Sequence, residues 1–423
     1  MRRFFYLMSL ARKSAWNRRG TLSLVVLCIA LSTLLLLGIE RIRNQIRENF
    51  VQAVSGVDLV VGARGGDIPL MLYAVFHLGG ATNGMGWESA RRIAAHRDVA
   101  WTIPLSLGDS HNGHPVVATT PDFFDHYRFR AGRRIEFAQG RAFDALFDVV
   151  VGAEVARKAG YRIGSSLVLR HGNSDVRLAE HSDKPFTVTG ILAPTGTPVD
   201  RALYISLAAM EAIHIDWQGG APIPGFQVRA DQVGKFDLTP KSITALLVGL
   251  KSRSRVFALQ RELGAWKEEA LMGVMPGVAM DRLWRMLDIG ERVLLLVSAL
   301  VTLTGLAGLA SAILAGLGER RRELAILRSA GARPLDILFL LACEGVLLVF
   351  AGIAAGLLCL VLLLFAIGPI LASRYGIVLY FSCPAREEWL LLGGIVVAGS
   401  LASLIPAWRA YRISLSDGLT LST

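Results

Sequence analysis

Residues 293–317 read VLLLVSALVTLTGLAGLASAILAGL, and residues 318–336 continue GERRRELAILRSAGARPLD. The first 25 residues carry no charge, while the next 19 hold five arginines against Glu319, Glu323 and Asp336. An uncharged apolar helix needs about 20 residues to cross roughly 30 Å of hydrocarbon, and arginine-rich segments stay on the cytoplasmic side. The stretch therefore reads as a membrane span followed by a cytoplasmic segment, and the chain as a membrane protein.

Three more apolar runs fit this frame. Thr21–Ile39 is uncharged over 19 residues. Its length, and the Gly38-Ile39-Glu40-Arg41 sequence that follows, favour a signal anchor over a cleaved signal peptide. Ile337–Ala372 is interrupted only by Glu344 and Pro369, and Leu390–Ala407 lies between Trp389 and Trp408 at interface positions. The composition agrees, with 53% hydrophobic residues and a mean hydropathy of +0.47.

The net charge of +11 resembles a nucleic-acid signature until it is mapped. Arg2, Arg3, Arg12, Lys13, Arg18 and Arg19 precede the first run with no acid among them. Arg409 and Arg412 follow the last run against Asp417 alone, whereas 40–317 holds only three more basic than acidic groups. The excess flanks the apolar runs and argues against a nucleic-acid partner.

The expected fold class is a membrane protein: a four-span α-helical bundle with a mixed α/β periplasmic domain inserted between spans 1 and 2. The expected segments are an amphipathic helix at 1–20, with a plain basic tail as the alternative, and span 1 at 21–39. The outer domain follows at 40–290, span 2 at 291–317, a cytoplasmic segment at 318–336 and span 3 at 337–372. A short outer loop at 373–388, span 4 at 389–408 and a tail at 409–423 complete the chain. Within the outer domain, 57–62, 148–152, 166–170 and 186–191 read as strands, and 154–159 as a short helix. Residues 239–263 carry helical periodicity, 194–226 contains loops, and 282–291 runs helically into span 2.

Small residues recur at helical spacing as Gly308, Ala312 and Gly316, and as Gly352 and Gly356. That pattern lets helix backbones approach closely. Glu344 is costly in an apolar helix unless it packs by hydrogen bonding, handles protons or sits at the headgroup boundary. Leu324 and Leu327 give the basic segment a short helix with an apolar edge, ended by Gly331. It is either a solvated loop or a helix docked on a soluble partner.

Catalytic constellations are missing. Gly234-Lys235 is followed by Phe236 and has no Walker A pattern before it, and no Gly-x-Ser-x-Gly, HExxH or CxxC occurs. No metal or other cofactor is expected in this chain. The cysteines do not form a disulfide framework, since Cys28, Cys343 and Cys359 lie in apolar runs. All eight histidines lie between residues 77 and 214. His111 and His114 are the one close pair, with Asp109, Asp122, Asp125 and His126 nearby; they read as weak metal candidates or as the flanks of an exposed Asn-Gly turn.

The segment Glu319-Arg320-Arg321-Arg322-Glu323-Leu324 through Leu327, Arg328 and Gly331 resembles the signature of the MacB/FtsX-like ABC permeases. So do Glu344-Gly345 with Gly352 and Gly356, and Leu404-Ile-Pro406-Ala-Trp-Arg409. In the outer domain, Val149 to Ala156, Gly160 to Gly164 and Phe186 to Leu192 resemble the MacB-like periplasmic core domain. The resemblance implies a type VII, mechanotransmission permease in the bacterial inner membrane that dimerises with a second copy or a related permease. It also implies an ABC ATPase dimer carrying ATP and Mg²⁺ on separate chains, and a periplasmic adaptor or substrate-binding protein. Residues 319–333, Arg333 included, become the ATPase contact. The expected role is export or extraction of a lipid, lipoprotein, peptide or small molecule. The alternative is a non-transport mechanotransmission protein regulating an envelope hydrolase or sensor.

Overall fold

A computed structural model describes residues 19–53, 55–79, 83–130, 132–172, 181–218, 221–329, 331–375 and 385–412. The readings of 1–18 as amphipathic, and of most of the outer loop and the tail, fall outside these residues. In chain order the helices are α1 (Arg19–Gln52), α2 (Asp67–Phe76), α3 (Trp87–Ala94), α4 (Asp122–His126) and α5 (Ala153–Ala159). They continue with α6 (Leu207–His214), α7 (Val256–Gly264), α8 (Pro276–Ser329), α9 (Pro334–Tyr375) and α10 (Arg386–Arg412). The main strands are β1 (Leu59–Ala63), β2 (Val99–His111), β3 (His114–Thr119), β4 (Phe137–Gly140) and β5 (Asp148–Val151). Then come β6 (Phe186–Leu192), β7 (Leu203–Ser206), β8 (Ala245–Leu250) and β9 (Leu271–Val274). The chain divides into two compact units, one of Met1–Gln45, Leu287–Ile370 and Leu379–Thr423, the other of Ile46–Met286 and Leu371–Val378.

Four helices are long and apolar enough to cross a membrane, Leu22–Gln45, Pro276–Ala315, Pro334–Ile370 and Arg386–Arg409, and apart from Pro276–Met286 they lie in the first unit. Its core joins Ile29 and Leu37 of α1, Leu309 of α8, Val349 and Leu360 of α9, and Ile395 of α10. Small residues mark the closest crossings. A Cβ on Gly352 would lie 2.6 Å from Ile29, and one on Gly356 would lie 2.7 Å from the Ala30 carbonyl oxygen. Gly399 of α10 meets Val349 in the same way, and Gly345 meets Ser403. Gly308 behaves differently: it is exposed, and its Cβ would meet nothing within 4 Å among the described residues. Ala312 is half-buried against the core. Glu344 is buried within the bundle.

The second unit is built on one mixed sheet in the order β9-β1-β8-β2-β3-β7-β5-β6-β4. β3 and β7 are parallel, as are β5 and β6, and the other neighbours along this order are antiparallel. Both faces are covered. Val149 and Val151 join one core with Ile93, Leu259 and Ile213, whereas Val150 joins the other with Leu70, Phe123 and Tyr204. Alternation along a strand sends neighbouring valines to opposite faces, so a fully buried strand reads as an unbroken apolar run.

That rule corrects the reading of 239–263 as helical. Ala245–Leu250 is the inner strand β8, and the helix there is confined to Val256–Gly264. A short apolar run does not declare its period, and Gly249 at its end lets the Trp101 ring lie against the backbone. The stretch 194–226 likewise contains β7 and α6 as well as loops. The basic segment is also not a separate short helix. α8 continues unbroken to Ser329, because the segment is rich in Leu, Ala, Arg and Glu, all good helix formers. The chain turns at Gly331 with φ 93°, and Pro334 opens α9.

Candidate functional site

The hairpin joining β2 to β3 settles the role of the close histidine pair. Asn112 and Gly113 take φ values of 49° and 76°, the left-handed pair of a tight hairpin turn, with His111 opposite His114. His111 Nδ1–H donates to the Val168 carbonyl at 2.6 Å, and the Tyr161 hydroxyl donates to Nε2 at 2.6 Å. His114 Nδ1 bonds the Arg201 carbonyl at 3.1 Å. Both rings therefore serve as structural hydrogen bonders. His126 stacks on Trp101, and Asp122 accepts from Thr120. None of these joins a common site.

Asp109 does join one, with partners remote in sequence. A bulge between Leu107 and Ser110 interrupts the β2–β3 pairing, and Asp109 sits in it. Bulges re-aim side chains beside functional sites. The short strand Arg170–His171 pairs with β2 and places His171 directly across from Asp109. His214 ends α6, and His181 follows on a loop whose backbone N–H donates to the Leu169 carbonyl. One donor atom from each of Asp109, His171, His181 and His214 lies within 4.8 Å of every other.

The polar contacts within the group are short. His171 Nδ1 is 3.1 Å from Asp109 Oδ1 and 2.8 Å from His214 Nε2. His214 Nε2 is 3.4 Å from Asp109 Oδ1, and His181 Nε2 is 3.8 Å from Asp109 Oδ2. His214 Nδ1–H donates to the Met210 carbonyl at 2.9 Å, which turns Nε2 toward the cluster. Trp217 closes one side, with ring centroids 4.5 Å from His181 and 5.3 Å from His171. His171 and His214 keep partial access to solvent, while Asp109 and His181 have none.

Electrostatics sets the protonation. Burial opposes ionisation of Asp109, but hydrogen bonds from His171 and His214 outweigh it and hold the carboxyl down at about 2. Burial lowers the His181 imidazole to about 4. Burial also works against charge on His214, yet the hydrogen bond to Asp109 raises it overall. The group thus presents an ionised carboxylate beside imidazoles, the donor set suited to a borderline divalent cation.

Sequence spacing could not have found this site. His171, His181 and His214 match no metal-binding motif, and the crowding of histidines into 77–214 is the one clue the chain offers.

The expected coupling residues lie elsewhere. Glu319, Arg320, Arg321, Arg322, Glu323, Leu324, Leu327 and Arg328 fall on the last turns of α8. Arg333 is exposed beyond the Gly331 turn, and its backbone N–H donates to Asp336. Of the small residues, Gly352 and Gly356 form close crossings and Gly308 does not. The surroundings of Gly316 lie outside the described residues.

The model of the MacB-like periplasmic core domain matches residues 20–265, and that of the FtsX-like permease C-terminal matches 295–415. The macrolide export ATP-binding/permease protein MacB of Nitrobacter winogradskyi is 25% identical over 315 residues. That alignment takes in 72% of this chain and 43% of the relative, so the chain spans under half of that protein's length. The periplasmic region of MacB from Actinobacillus actinomycetemcomitans aligns at 10% identity and TM-score 0.33, over 55% of this chain and 95% of that one. The extracellular domain of the ABC-type transporter YknZ from Gram-positive bacteria aligns at 10% identity and TM-score 0.27, over 52% and 99%. Matched along its outer domain and its last three spans, this chain belongs to the MacB/FtsX-like family of ABC-type permeases.

Proposed function

We propose that the chain is the membrane subunit of an ABC system whose ATPase is a separate chain. The observation carrying this reading is that one polypeptide matches both a MacB-like periplasmic core domain and an FtsX-like permease C-terminal. No Walker A sequence occurs in the 423 residues, and in this reading ATP and Mg²⁺ would bind on the partner. Two copies, or this chain and a related permease, would pair with an ATPase dimer at the bacterial inner membrane. Residues 319–333 would face the ATPase. Because α8 carries span 2 and most of this segment as one helix, a displacement there is passed along a continuous hydrogen-bonded element. The role is export or extraction, on the periplasmic side, of a lipid, lipoprotein, peptide or small molecule. A periplasmic adaptor or substrate-binding protein would complete the assembly.

Co-purification of the chain from its native membrane, with quantitative identification of what accompanies it, tests this. A stoichiometric ABC ATPase is expected. Its absence under gentle extraction overturns the reading. An ATPase accompanied by an envelope hydrolase, with no adaptor, would replace transport by regulation.

A further inference from the structure

We propose that Asp109, His171, His181 and His214 form a binding site for one late first-row divalent cation, with Zn²⁺ as its natural occupant. The cluster's hydrogen bonding is incomplete in a way that a cation completes. His181 is fully buried, yet neither ring nitrogen has a hydrogen-bond partner among the described residues. Asp109 Oδ2, also buried, has none either and lies 3.8 Å from His181 Nε2. Leaving a buried polar atom unsatisfied costs about 1–3 kcal/mol. Here an acceptor oxygen and an imidazole nitrogen face each other across a gap too long for a direct bond.

The distances suit a cation between them. Ligands held tetrahedrally about 2.0–2.1 Å from zinc stand about 3.3 Å apart. The pairs at 2.8, 3.1, 3.4 and 3.8 Å bracket that value, and one donor atom from each of the four residues lies within 4.8 Å of the others. Ligand orientation is already set at two points. The His214 Nδ1–H bond to the Met210 carbonyl orients the ring, so that Nε2 becomes a ligand once an incoming cation displaces its proton, as outer-shell carbonyls orient histidines in zinc sites. The buried Lys184–Asp216 pair, at 2.8 and 2.9 Å, fastens the loop carrying His181 to the segment carrying Trp217.

Three imidazoles and one carboxylate fill a tetrahedral zinc. No position is left for an activated water, so the site is structural or regulatory and not hydrolytic. Its ligands come from β2, the short strand Arg170–His171, the loop carrying His181 and the end of α6, and the bound ion would tie these together. The partial exposure of His171 and His214 gives the ion a way in and out.

The test uses the full-length protein in detergent, stripped with a chelator. Zn²⁺ is titrated in competition with a chromophoric chelator, and Co²⁺ is added separately as a spectroscopic probe. One equivalent of Zn²⁺ and the visible bands of a tetrahedral Co²⁺ centre are expected. Loss of an outer-shell partner typically weakens metal sites about 10–100-fold, so loss of a ligand should exceed about 100-fold. His181→Gln should reach that loss, and His171→Asn, at a more exposed position, should do so without the risk of misfolding. His111→Gln and His114→Gln should bind as the parent does. Absence of stoichiometric binding in the parent, or retained affinity in both ligand variants, overturns the proposal. Metal content is read without ATP or a partner, so this result is independent of the permease assignment.

Discussion

Lys184 is fully buried, and its ammonium lies 2.8 and 2.9 Å from the two oxygens of Asp216. Asp216 also accepts from the Val228 backbone N–H. Burial works against its ionisation, but the hydrogen bond from Lys184 outweighs that and keeps the carboxyl below its ordinary range. Removing one member of a buried pair leaves an uncompensated charge and costs about 3–5 kcal/mol. Lys184→Met should therefore destabilise the outer unit by that amount in chemical unfolding, with much of it recovered in Lys184→Met/Asp216→Leu. Equal losses in the two variants would refute the pairing argument. His77 shows the opposite case: a half-buried residue whose enclosed Nδ1 has no hydrogen-bond partner among the described residues, and burial lowers its pKa to about 4. The unfolded chain takes up a proton near pH 6.5, well before the folded chain does. Stability is then lost as pH falls from about 6.5 towards 4. Asn tolerates the left-handed φ of 55° at this helix end, so His77→Asn should narrow the drop in melting temperature between pH 7.5 and 4.5. An unchanged drop would exclude His77 as its source.

At the scale of elements, the membrane helices meet where small residues permit it. A Cβ on Gly356 would lie 2.7 Å from both the Ala30 carbonyl oxygen and the Thr33 Cβ, and the first of these is backbone. Gly356→Ala must push α1 and α9 apart, and such overpacking costs about 1–3 kcal/mol. Gly308→Ala meets nothing among the described residues and should leave the melting temperature of the detergent-solubilised protein unchanged. Similar effects from the two variants would sink the assigned crossing. Spacing alone made the Gly308 and Gly352 stripes look equivalent, because periodicity reports which residues share a helix face and not what lies opposite. The same limit explains β8. Ala-Leu-Leu-Val-Gly-Leu is apolar at every position, so neither a period of 2 nor one of 3.6 stands out, and its place between β1 and β2 made it a strand.

At the scale of the whole molecule, the proposed pairing with an ATPase needs a surface that receives its stroke. Arg321 and Arg322 on α8 are the residues proposed to supply it. Arg321→Glu/Arg322→Glu should insert normally but lower partner affinity about tenfold or more, equivalent to at least about 1.4 kcal/mol, and lose coupled ATP hydrolysis. Pull-down and ATPase assays on the reconstituted complex check both, and unchanged coupling would remove this segment from the interface. The four spans, the inserted α/β domain and the family could be read from the chain because each rests on contiguous residues. An uncharged run of membrane length and a cluster of arginines beside it have the same meaning wherever the chain later folds. The cation cluster had no such local signature. Asp109 lies 62 residues from His171 and His214 lies 43 beyond that, so their convergence depends on a β-bulge, a cross-strand register and the end of a helix. The nearest histidine pair in sequence, His111 and His114, faces across the hairpin it flanks, but each ring is bonded to a separate backbone carbonyl. Solvation and local periodicity act on neighbours along the chain, whereas a ligand set is defined by positions in space, and these exist only once the sheet has paired.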